Sequence, residues 1–454
     1  MIHDGAENSV SNSPEADIPD HARAIFAWAT PPGRSGVAVL RISGAYVPAC
    51  AAALGLGALT PRHAHLRQII DPDNVAPLDQ ALVLYFKAPH SFTGEDVLEL
   101  HTHGSLAVRH QLTSVLSALP MCRAAEPGEF TRQAFTNGKL DLAQVEGLAD
   151  VIDAQSARQL AQAQEQLHGS LSAFYEGLRH DIVRTLAFIE AYIDFPDEEI
   201  PDDVMHTVRT SVTEAQDRIQ RVLQAPNTGE KIREGFTVAI IGSPNVGKSS
   251  LLNAIAKRDV AIVSDIPGTT RDTIEVSIEL HGYLVTLIDT AGLRETTDQV
   301  EQLGIERSRH YEKNADVILR VTDHVPDPKQ PKSALEKNEI MIINKCDQFP
   351  YEPSPEMCYI SAKTGENIDQ LLALIAAKLA LTVSRQQDIV ITRARHRQAL
   401  IAAAEALKGF NQEKVYELMA EELRHAAFHI GKITGKVEVD QLLEVIFSEF
   451  CIGK

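Results

Sequence analysis

The most restrictive feature of the sequence is one eight-residue stretch, GSPNVGKS, at positions 242–249. It follows the apolar run FTVAII and precedes SLLNAIAK, which has the apolar spacing of a helix. A glycine-rich loop between a strand and a helix presents backbone N–H groups and the positive end of the helix dipole to a phosphate. Lys248 would reach the β and γ phosphates, and Ser249 would bind Mg2+. The stretch predicts an α/β domain with a mostly parallel sheet and a phosphate site.

Three further motifs follow this loop in chain order, each directly after an apolar strand: DTAG from Asp289, NKCD from Asn344, and SAK from Ser361. The Asp289 carboxylate can hold Mg2+ through water, and a backbone N–H of DTAG can contact a γ-phosphate. Asp347 can accept two hydrogen bonds from guanine, which adenine cannot donate. An isolated NKxD is more often a surface turn, but the ordered set predicts a guanine-nucleotide hydrolase or switch.

The segment after the first helix of this domain, SDIPGTTRD at 264–272, is rich in oxygen ligands, and its Thr270 is the expected second Mg2+ ligand. Leu293 follows DTAG and cannot orient an attacking water, so that task falls to another residue. The expected nucleotide contacts are Asn245, Val246, Gly247, Lys248, Ser249, Ser250, Ser264, Asp265, Ile266, Pro267, Gly268, Thr269, Thr270, Asp289, Thr290, Ala291, Gly292, Asn344, Lys345, Asp347, Ser361, Ala362 and Lys363.

Composition and breaker residues divide the chain into five segments. They are a disordered acidic extension at 1–20, a small α/β (α+β) domain at 21–139, a helical segment at 140–232, a G domain at 233–384 and a second helical segment at 385–454. The two helical segments are expected to pack together. The predicted fold class is therefore α/β and α, with a P-loop GTPase domain inserted in a discontinuous helical domain.

Charge and cysteine usage limit the environment and the partners of the chain. It has 62 acidic and 43 basic residues and a formal net charge of -19, so its long-range field repels nucleic acid. Action on RNA would require a basic partner or a local patch, and RARHR at 393–397 is the nearest basic cluster. Five scattered cysteines without a CxxC pair, and no apolar run near the roughly 20 residues of a membrane span, predict a cytoplasmic protein.

Beyond its first 20 residues, the chain closely resembles the MnmE (TrmE) family. The resemblance is carried by ATPPGRSGVAVLRISG, SFTGEDVLELHTHG, PGEFTRQAFTNGKLDLAQVEGLADVIDA, AYIDFPDEE, DTAGLRETTDQVEQLGIERS and the terminal FCIGK. It implies a GTPase that modifies the wobble uridine of certain tRNAs. It also implies a homodimer formed through the N-terminal domains, with G domains that meet during turnover.

The resemblance implies K+ as the positive charge at the phosphates, and Glu301 as the residue that orients water. The implied K+ ligands are Asn245, Ser264, the carbonyl of Ile266, and Thr269. A cation near the phosphates would do the work of an arginine finger. Ser264 replaces the more usual threonine of the family, and Pro267 replaces a small residue, so loop ordering by K+ is expected to differ in strength.

The resemblance also makes residues 21–139 a tetrahydrofolate-binding domain. Arg41, Glu99 and Lys139 fall on positions implied to bind the folate, and Lys454 of the terminal FCIGK is implied as a further contact. Cys451 is implied in the modification, either as a thiolate nucleophile or by packing alone.

The implied partner is a flavoprotein of the MnmG (GidA) type, which carries FAD and joins the dimer in a heterotetramer-like complex with tRNA. The C5 carbon would come from methylene-tetrahydrofolate, and the product would carry an aminomethyl or carboxymethylaminomethyl group. Two alternatives are a ribosome-assembly GTPase, which should carry an RNA-binding appendage, and a G-protein switch without modification chemistry.

Overall fold

The computed structural model divides the chain into two compact units, Met1–Asp141 with Val439–Lys454, and Leu142–Glu438. The residues that the structure describes are 18–194, 202–258, 261–262, 274–289, 314–325, 338–352, 357–382, 391–412, 415–437, 440–448, 450 and 453. Each unit has its own buried apolar core. The α/β and helical fold class predicted from the sequence is confirmed.

The first unit is built on a six-stranded sheet with the order β3-β4-β5-β2-β1-β6. Its elements are β1 (Ala24–Trp28), β2 (Ser35–Ser43), α1 (Val47–Ala53), β3 (His65–Ile70), β4 (Pro77–Phe86), β5 (Val97–Gly104), α2 (Leu106–Ala118), β6 (Cys122–Ala124) and α3 (Glu129–Thr136). Alternation along β2 and β5 buries Leu40 and Leu98 in the core under α1 and α2. The same alternation places Arg41 and Glu99, which are register partners, on the opposite face.

The last helix of the chain, α13 (Asp440–Ser448), packs in this first unit against α3. The Phe447 ring lies 6.4 Å from the Phe135 ring, and the Arg132 guanidinium lies 5.2 Å from the Phe447 ring centroid. The Phe447 carbonyl approaches Gly128 so closely that a methyl group there would lie 2.6 Å from it. The described part of the C-terminal segment thus packs on the N-terminal domain.

Among the residues that the structure describes, seven helices belong to the helical part of the second unit. They are α4 (Leu142–Asp153), α5 (Ala157–Leu167), α6 (Ser170–Asp194), α7 (Asp202–Gln224), α8 (Thr228–Glu234), α11 (Ala394–Gln412) and α12 (Tyr416–Thr434). Tyr175 and Ile182 of α6 share one buried cluster with Phe410 and Leu423, so helices from before and after the G domain pack together. Among the described helices, none is long and apolar enough to cross a bilayer.

The basic cluster at 393–397 is bound inside this helical part. Its arginines pair with carboxylates of α4 and α8: Arg393 with Asp150 at 2.8 Å, Arg395 with Glu146 at 2.6 Å, and Arg397 with Glu230 at 3.0 Å. Glu146 is 2 % exposed and also bonds His396 at 3.0 Å. Burial by itself would raise the pKa of Glu146, but His396 and Arg395 hold it well below its usual value. These charges therefore stabilise the helical core, and the cluster is not an open RNA-binding patch.

The described part of the G domain has seven strands, which form one sheet with the order β13-β12-β11-β7-β10-β9-β8. Its elements are β7 (Phe236–Gly242), α9 (Lys248–Ala256), β8 (Ala261–Ile262), β9 (Ile274–Leu280), β10 (Tyr283–Asp289), β11 (Val317–Thr322), β12 (Glu339–Ile343), β13 (Met357–Tyr359) and α10 (Ile368–Thr382). Strands β7, β10, β11, β12 and β13 are parallel, and β9 runs antiparallel to β10. The carboxyl ends of the parallel strands share one edge, where ligands bind in such sheets.

Candidate functional site

The predicted phosphate loop lies at this edge, between the end of β7 at Gly242 and the start of α9 at Lys248. Two of its glycines have no room for a side chain. A methyl group on Gly242 would collide with the carbonyl oxygen of Val321, and one on Gly247 would collide with the Asn344 amide. Gly247 also has a φ of 97°, which favours glycine. The close approach of neighbouring atoms at both positions, and the positive φ at Gly247, explain why the loop has glycine there.

Lys248 and Ser249 begin α9 and face neighbouring strand ends. Lys248 is 6 % exposed, and its ammonium donates to the carbonyls of Gly242 at 2.8 Å and Ser243 at 2.9 Å. The Ser249 hydroxyl donates to the Asp289 carboxylate at 2.5 Å, and Asp289 is fully buried. The structure thus brings together two groups that the sequence assigned to Mg2+. A hydroxyl and a carboxylate are hard oxygen donors, and they fit that ion.

The base motif is tied to the phosphate loop by two side chains. Asn344, which is 2 % exposed, donates to the Val246 carbonyl at 2.8 Å and accepts from the Ala362 N–H at 3.0 Å. The Lys345 ammonium donates to the Asn245 carbonyl at 3.2 Å. In a trans peptide the N–H points opposite to the C=O, so these bonds orient the N–H groups of Val246 and Gly247 away from the two side chains. Three predicted binding motifs therefore form one hydrogen-bonded assembly.

The remaining described base-site residues flank this assembly. Asp347 is exposed in the turn Cys346–Gln348, Ser361 is fully buried, and Lys363 is exposed. Asn245 has a φ of 64°, a left-handed conformation that its carbonyl bond to Lys345 helps to hold. Ser250 is exposed in the first turn of α9.

Asp323 belongs to this site but escaped the sequence analysis. It directly follows β11, and its carboxylate accepts from the Lys345 ammonium at 2.7 Å. Hydrogen bonds with Lys345 and His324 lower the pKa of Asp323. Its position in the sequence could have identified it. A polar residue directly after the apolar strand VILRVT lies at the same sheet edge as the other motifs.

The other predicted site residues lie outside the described part of the chain. They are Ser264, Asp265, Ile266, Pro267, Gly268, Thr269, Thr270, Thr290, Ala291, Gly292, Glu301, Cys451 and Lys454. Their assignments stay predictions.

Two predicted folate residues are in contact on the sheet face opposite the main core. The Arg41 guanidinium donates twice to one oxygen of Glu99, at 3.0 Å and 2.9 Å. The other Glu99 oxygen lies 3.6 Å from Nε2 of His101. Arg41 also lies 5.8 Å from the ring centroids of Phe92 and Phe130. A carboxylate, a guanidinium and aromatic rings suit a flat heterocycle that carries both donors and acceptors.

Lys139 lies in the loop after α3, and its backbone N–H donates to the Ala134 carbonyl at 2.8 Å. A methyl group on Gly94 would lie 3.3 Å from its Cε, which places Lys139 beside the loop that leads into β5. His103, which alternates with Glu99 and His101 along β5, is mostly exposed and bonds Asp79 at 2.7 Å. Among the described residues, no cluster of three or more His, Cys, Asp or Glu side chains could hold a metal ion.

The C-terminal residues that the structure describes also lie in the first unit. Phe450 is 7 % exposed, and its ring lies 6.1 Å from that of Phe447. Gly453 has a φ of 101°, and a methyl group on it would collide with the carbonyl oxygen of Trp28. The backbone at Gly453 thus rests against the end of β1, so the tail returns to the N-terminal domain of its own chain.

Comparison with known proteins gives a consistent result over nearly the whole chain. The family model of the MnmE helical domain matches residues 142–451, and that of the GTP-binding protein TrmE N-terminus matches residues 24–139. The tRNA modification GTPase MnmE of Parvibaculum lavamentivorans is 46 % identical, with 95 % of this chain and 99 % of that protein covered. The proteins of the same name from Hyphomonas neptunium and Paramagnetospirillum magneticum are 44 % and 42 % identical, with 95 % of this chain and 99 % and 100 % of theirs covered.

Proposed function

The chain belongs to the MnmE family of tRNA modification GTPases. From that premise we propose that it is a K+-stimulated GTP hydrolase whose turnover serves the modification of the wobble uridine of certain tRNAs. The observation that carries the hydrolase part is the assembly at the sheet edge. There the phosphate loop, the Mg2+ carboxylate and the guanine motif are connected by direct hydrogen bonds from Ser249, Asn344 and Lys345.

Binding of GTP would exchange protein contacts for phosphate contacts. Lys248 would move its ammonium from the carbonyls of Gly242 and Ser243 to the phosphate oxygens. Ser249 and Thr270 would hold Mg2+, with Asp289 acting through water. The Lys248 ammonium and Mg2+ would both neutralise the negative charge that develops at the phosphates.

The K+ ligands would be Asn245, Ser264, the Ile266 carbonyl and Thr269. Only Asn245 is among the described residues, and its backbone is anchored by Lys345. Glu301 would orient the attacking water, a task that Leu293 cannot perform. A fixed loop at Asn245 supports a cation site there because ligand oxygens must be held in place before the ion binds.

The modification itself would use the N-terminal domain and the tail. Arg41, Glu99, Lys139 and Lys454 would bind methylene-tetrahydrofolate, and Cys451 would act in the transfer of the C5 carbon. The aminomethyl or carboxymethylaminomethyl group would be completed with an MnmG-type flavoprotein that carries FAD. We propose a cytoplasmic homodimer joined to this partner in a heterotetramer-like complex.

The charge distribution supports a division of labour with that partner. The chain carries a net charge of -19, and the arginines of its densest basic cluster are paired with buried or partly buried carboxylates. A partner with a basic surface would therefore supply most of the contacts to the tRNA phosphates.

The test of the hydrolase is GTP turnover in KCl and in NaCl at equal ionic strength. We expect much faster turnover in KCl, and Lys248→Ala should abolish turnover in both salts. Lys257→Ala is the matched control because it removes a lysine from the C-terminal end of the same helix. Equal rates of GTP turnover in both salts would rule out stimulation by K+. Full GTPase activity of Lys248→Ala would rule out hydrolysis at this phosphate site.

A further inference from the structure

Arg109 of α2 is in an unusual position for an arginine, because it is only 8 % exposed and its hydrogen-bond partners among the described residues are carbonyls and a hydroxyl. Its guanidinium donates to the Pro31 carbonyl at 2.8 Å and to the Thr30 hydroxyl at 3.0 Å, with a longer bond to the Thr30 carbonyl at 3.4 Å. It also lies 4.6 Å from the centroid of the Trp28 ring. A buried arginine is rare, and here its donors hold one short segment, Trp28–Pro31.

A second residue of α2 supports the same segment. Thr113 lies one turn after Arg109, and its hydroxyl accepts from the Trp28 indole N–H at 3.1 Å. The hydroxyl of Thr30 in turn accepts from the Val39 N–H at 3.2 Å, which ties the segment to β2. The position of Trp28–Pro31 is therefore set on one side by the backbone of β2, where the Ala29 N–H donates to the Val39 carbonyl at 2.8 Å, and further by side-chain contacts from one face of α2.

Gly453, next to the C-terminal residue, lies against the backbone of this same segment, and we call this contact its seat. Gly453 lies so close to the Trp28 carbonyl that no side chain fits, and a methyl group would also lie 3.2 Å from Cα of Ala29. The contact is between two backbones, so it has no side chain that could adapt. A shift of the Trp28–Ala29 peptide would therefore remove the seat of Gly453.

We infer that Arg109 is a positioning residue for the C-terminal tail, acting through the segment Trp28–Pro31. In the sequence Cys451 precedes Gly453 by two residues and Lys454 directly follows it, so chain length alone ties both to the position of Gly453. The consequence for tRNA modification rests on the proposed function, in which these two residues act. GTP turnover should not depend on Arg109, because the G domain belongs to the other compact unit.

Trp28 is the only tryptophan of the chain, so its fluorescence reports on this place alone. The experiment measures acrylamide quenching of Trp28 in the full-length wild type, Gly453→Ala, Arg109→Met and the double variant. In the wild-type background we expect Gly453→Ala to increase quenching because the tail leaves the Trp28 carbonyl. In the Arg109→Met background we expect that increase to be lost, because the seat is already displaced.

Arg67→Met is the matched control, since Arg67 also donates to backbone carbonyls, those of Leu56, Leu66 and Ala58, in the same unit. Gly453→Ala should still increase quenching in the Arg67→Met background. If Arg109→Met does not fold, Arg109→Lys replaces it, because lysine keeps the charge but cannot reproduce the fork of donors. An equal effect of Gly453→Ala in both Arg109 backgrounds, or no effect in the wild type, overturns the inference.

A second readout separates the inference from the proposed function. Arg109→Met and Gly453→Ala should reduce modification of tRNA in cells, while purified protein keeps wild-type GTP turnover. Unreduced modification in Arg109→Met would overturn the positioning role. If the wild type itself modifies no tRNA, the proposed function fails, and the quenching experiment still decides whether Arg109 holds the seat of Gly453.

Discussion

Asn344 is the side chain whose loss should most clearly separate nucleotide binding from folding of the G domain. It joins the phosphate loop, through the Val246 carbonyl, to the loop after β13, through the Ala362 N–H. In Asn344→Ala both bonds are lost, and two loops at the sheet edge are no longer held together. Nucleotide must then restore an arrangement that the wild type already has.

The size of the effect follows from the two lost bonds. A neutral hydrogen bond contributes about 0.5–1.5 kcal/mol net, so two of them amount to about 1–3 kcal/mol. This free energy corresponds to a loss of affinity of about 5- to 150-fold. Because Asn344 is 2 % exposed, water does not readily replace the lost partners, and we expect a value in the upper part of this range.

The assay is a titration of nucleotide-free protein with fluorescent GDP, together with thermal unfolding. Asn338→Ala is the matched control, since Asn338 donates to the Ala315 carbonyl at 3.2 Å just before the other end of β12. We expect the control to bind GDP like the wild type. Equal losses of affinity in the two variants, or a lower Tm of Asn344→Ala with unchanged affinity, would refute the reasoning.

Three further predictions concern the water, the folate face and the buried charges. Glu301→Ala should slow GTP turnover in steady-state assays with nearly unchanged GTP affinity, and a large loss of binding would make Glu301 structural. Arg41→Lys should weaken tetrahydrofolate binding in calorimetry, because lysine cannot donate twice to Glu99. The folded-state pKa of Glu146 is lowered, so its stabilisation is present above about pH 4.5 and lost as pH falls. Denaturant unfolding of Glu146→Gln should therefore show a weaker acid dependence than the wild type, and identical pH profiles would contradict this.

The features that could be predicted from the sequence are those encoded locally. Parallel strands buried on both faces are continuous apolar runs, and FTVAII, YLVTLI and IMII correspond to β7, β10 and β12. The chemistry-bearing motifs directly follow such runs, so the sheet edge places them together without further information. The fold class predicted from the sequence, and the family implied by the resemblance along the chain, are both confirmed.

Features that depend on distant partners were not predictable. RARHR reads as a basic surface, yet Arg395 finds Glu146 from a helix 249 residues earlier in the chain. Nothing local to α13 indicates that Phe447 packs on α3. Arg109 likewise has no local signal, because its acceptors are backbone carbonyls 78 and 79 residues away.

The central claim is that GTP hydrolysis by this chain serves the modification of wobble uridines. Its most direct test is nucleoside mass spectrometry of tRNA from cells that lack the gene and carry wild type, Lys248→Ala or the control Lys257→Ala. We expect C5-aminomethyl-type uridines to be restored by wild type and by the control, but not by Lys248→Ala. Unchanged nucleosides in cells lacking the gene would contradict the claim, and a ribosome-assembly GTPase or a switch without modification chemistry would then account for the G domain.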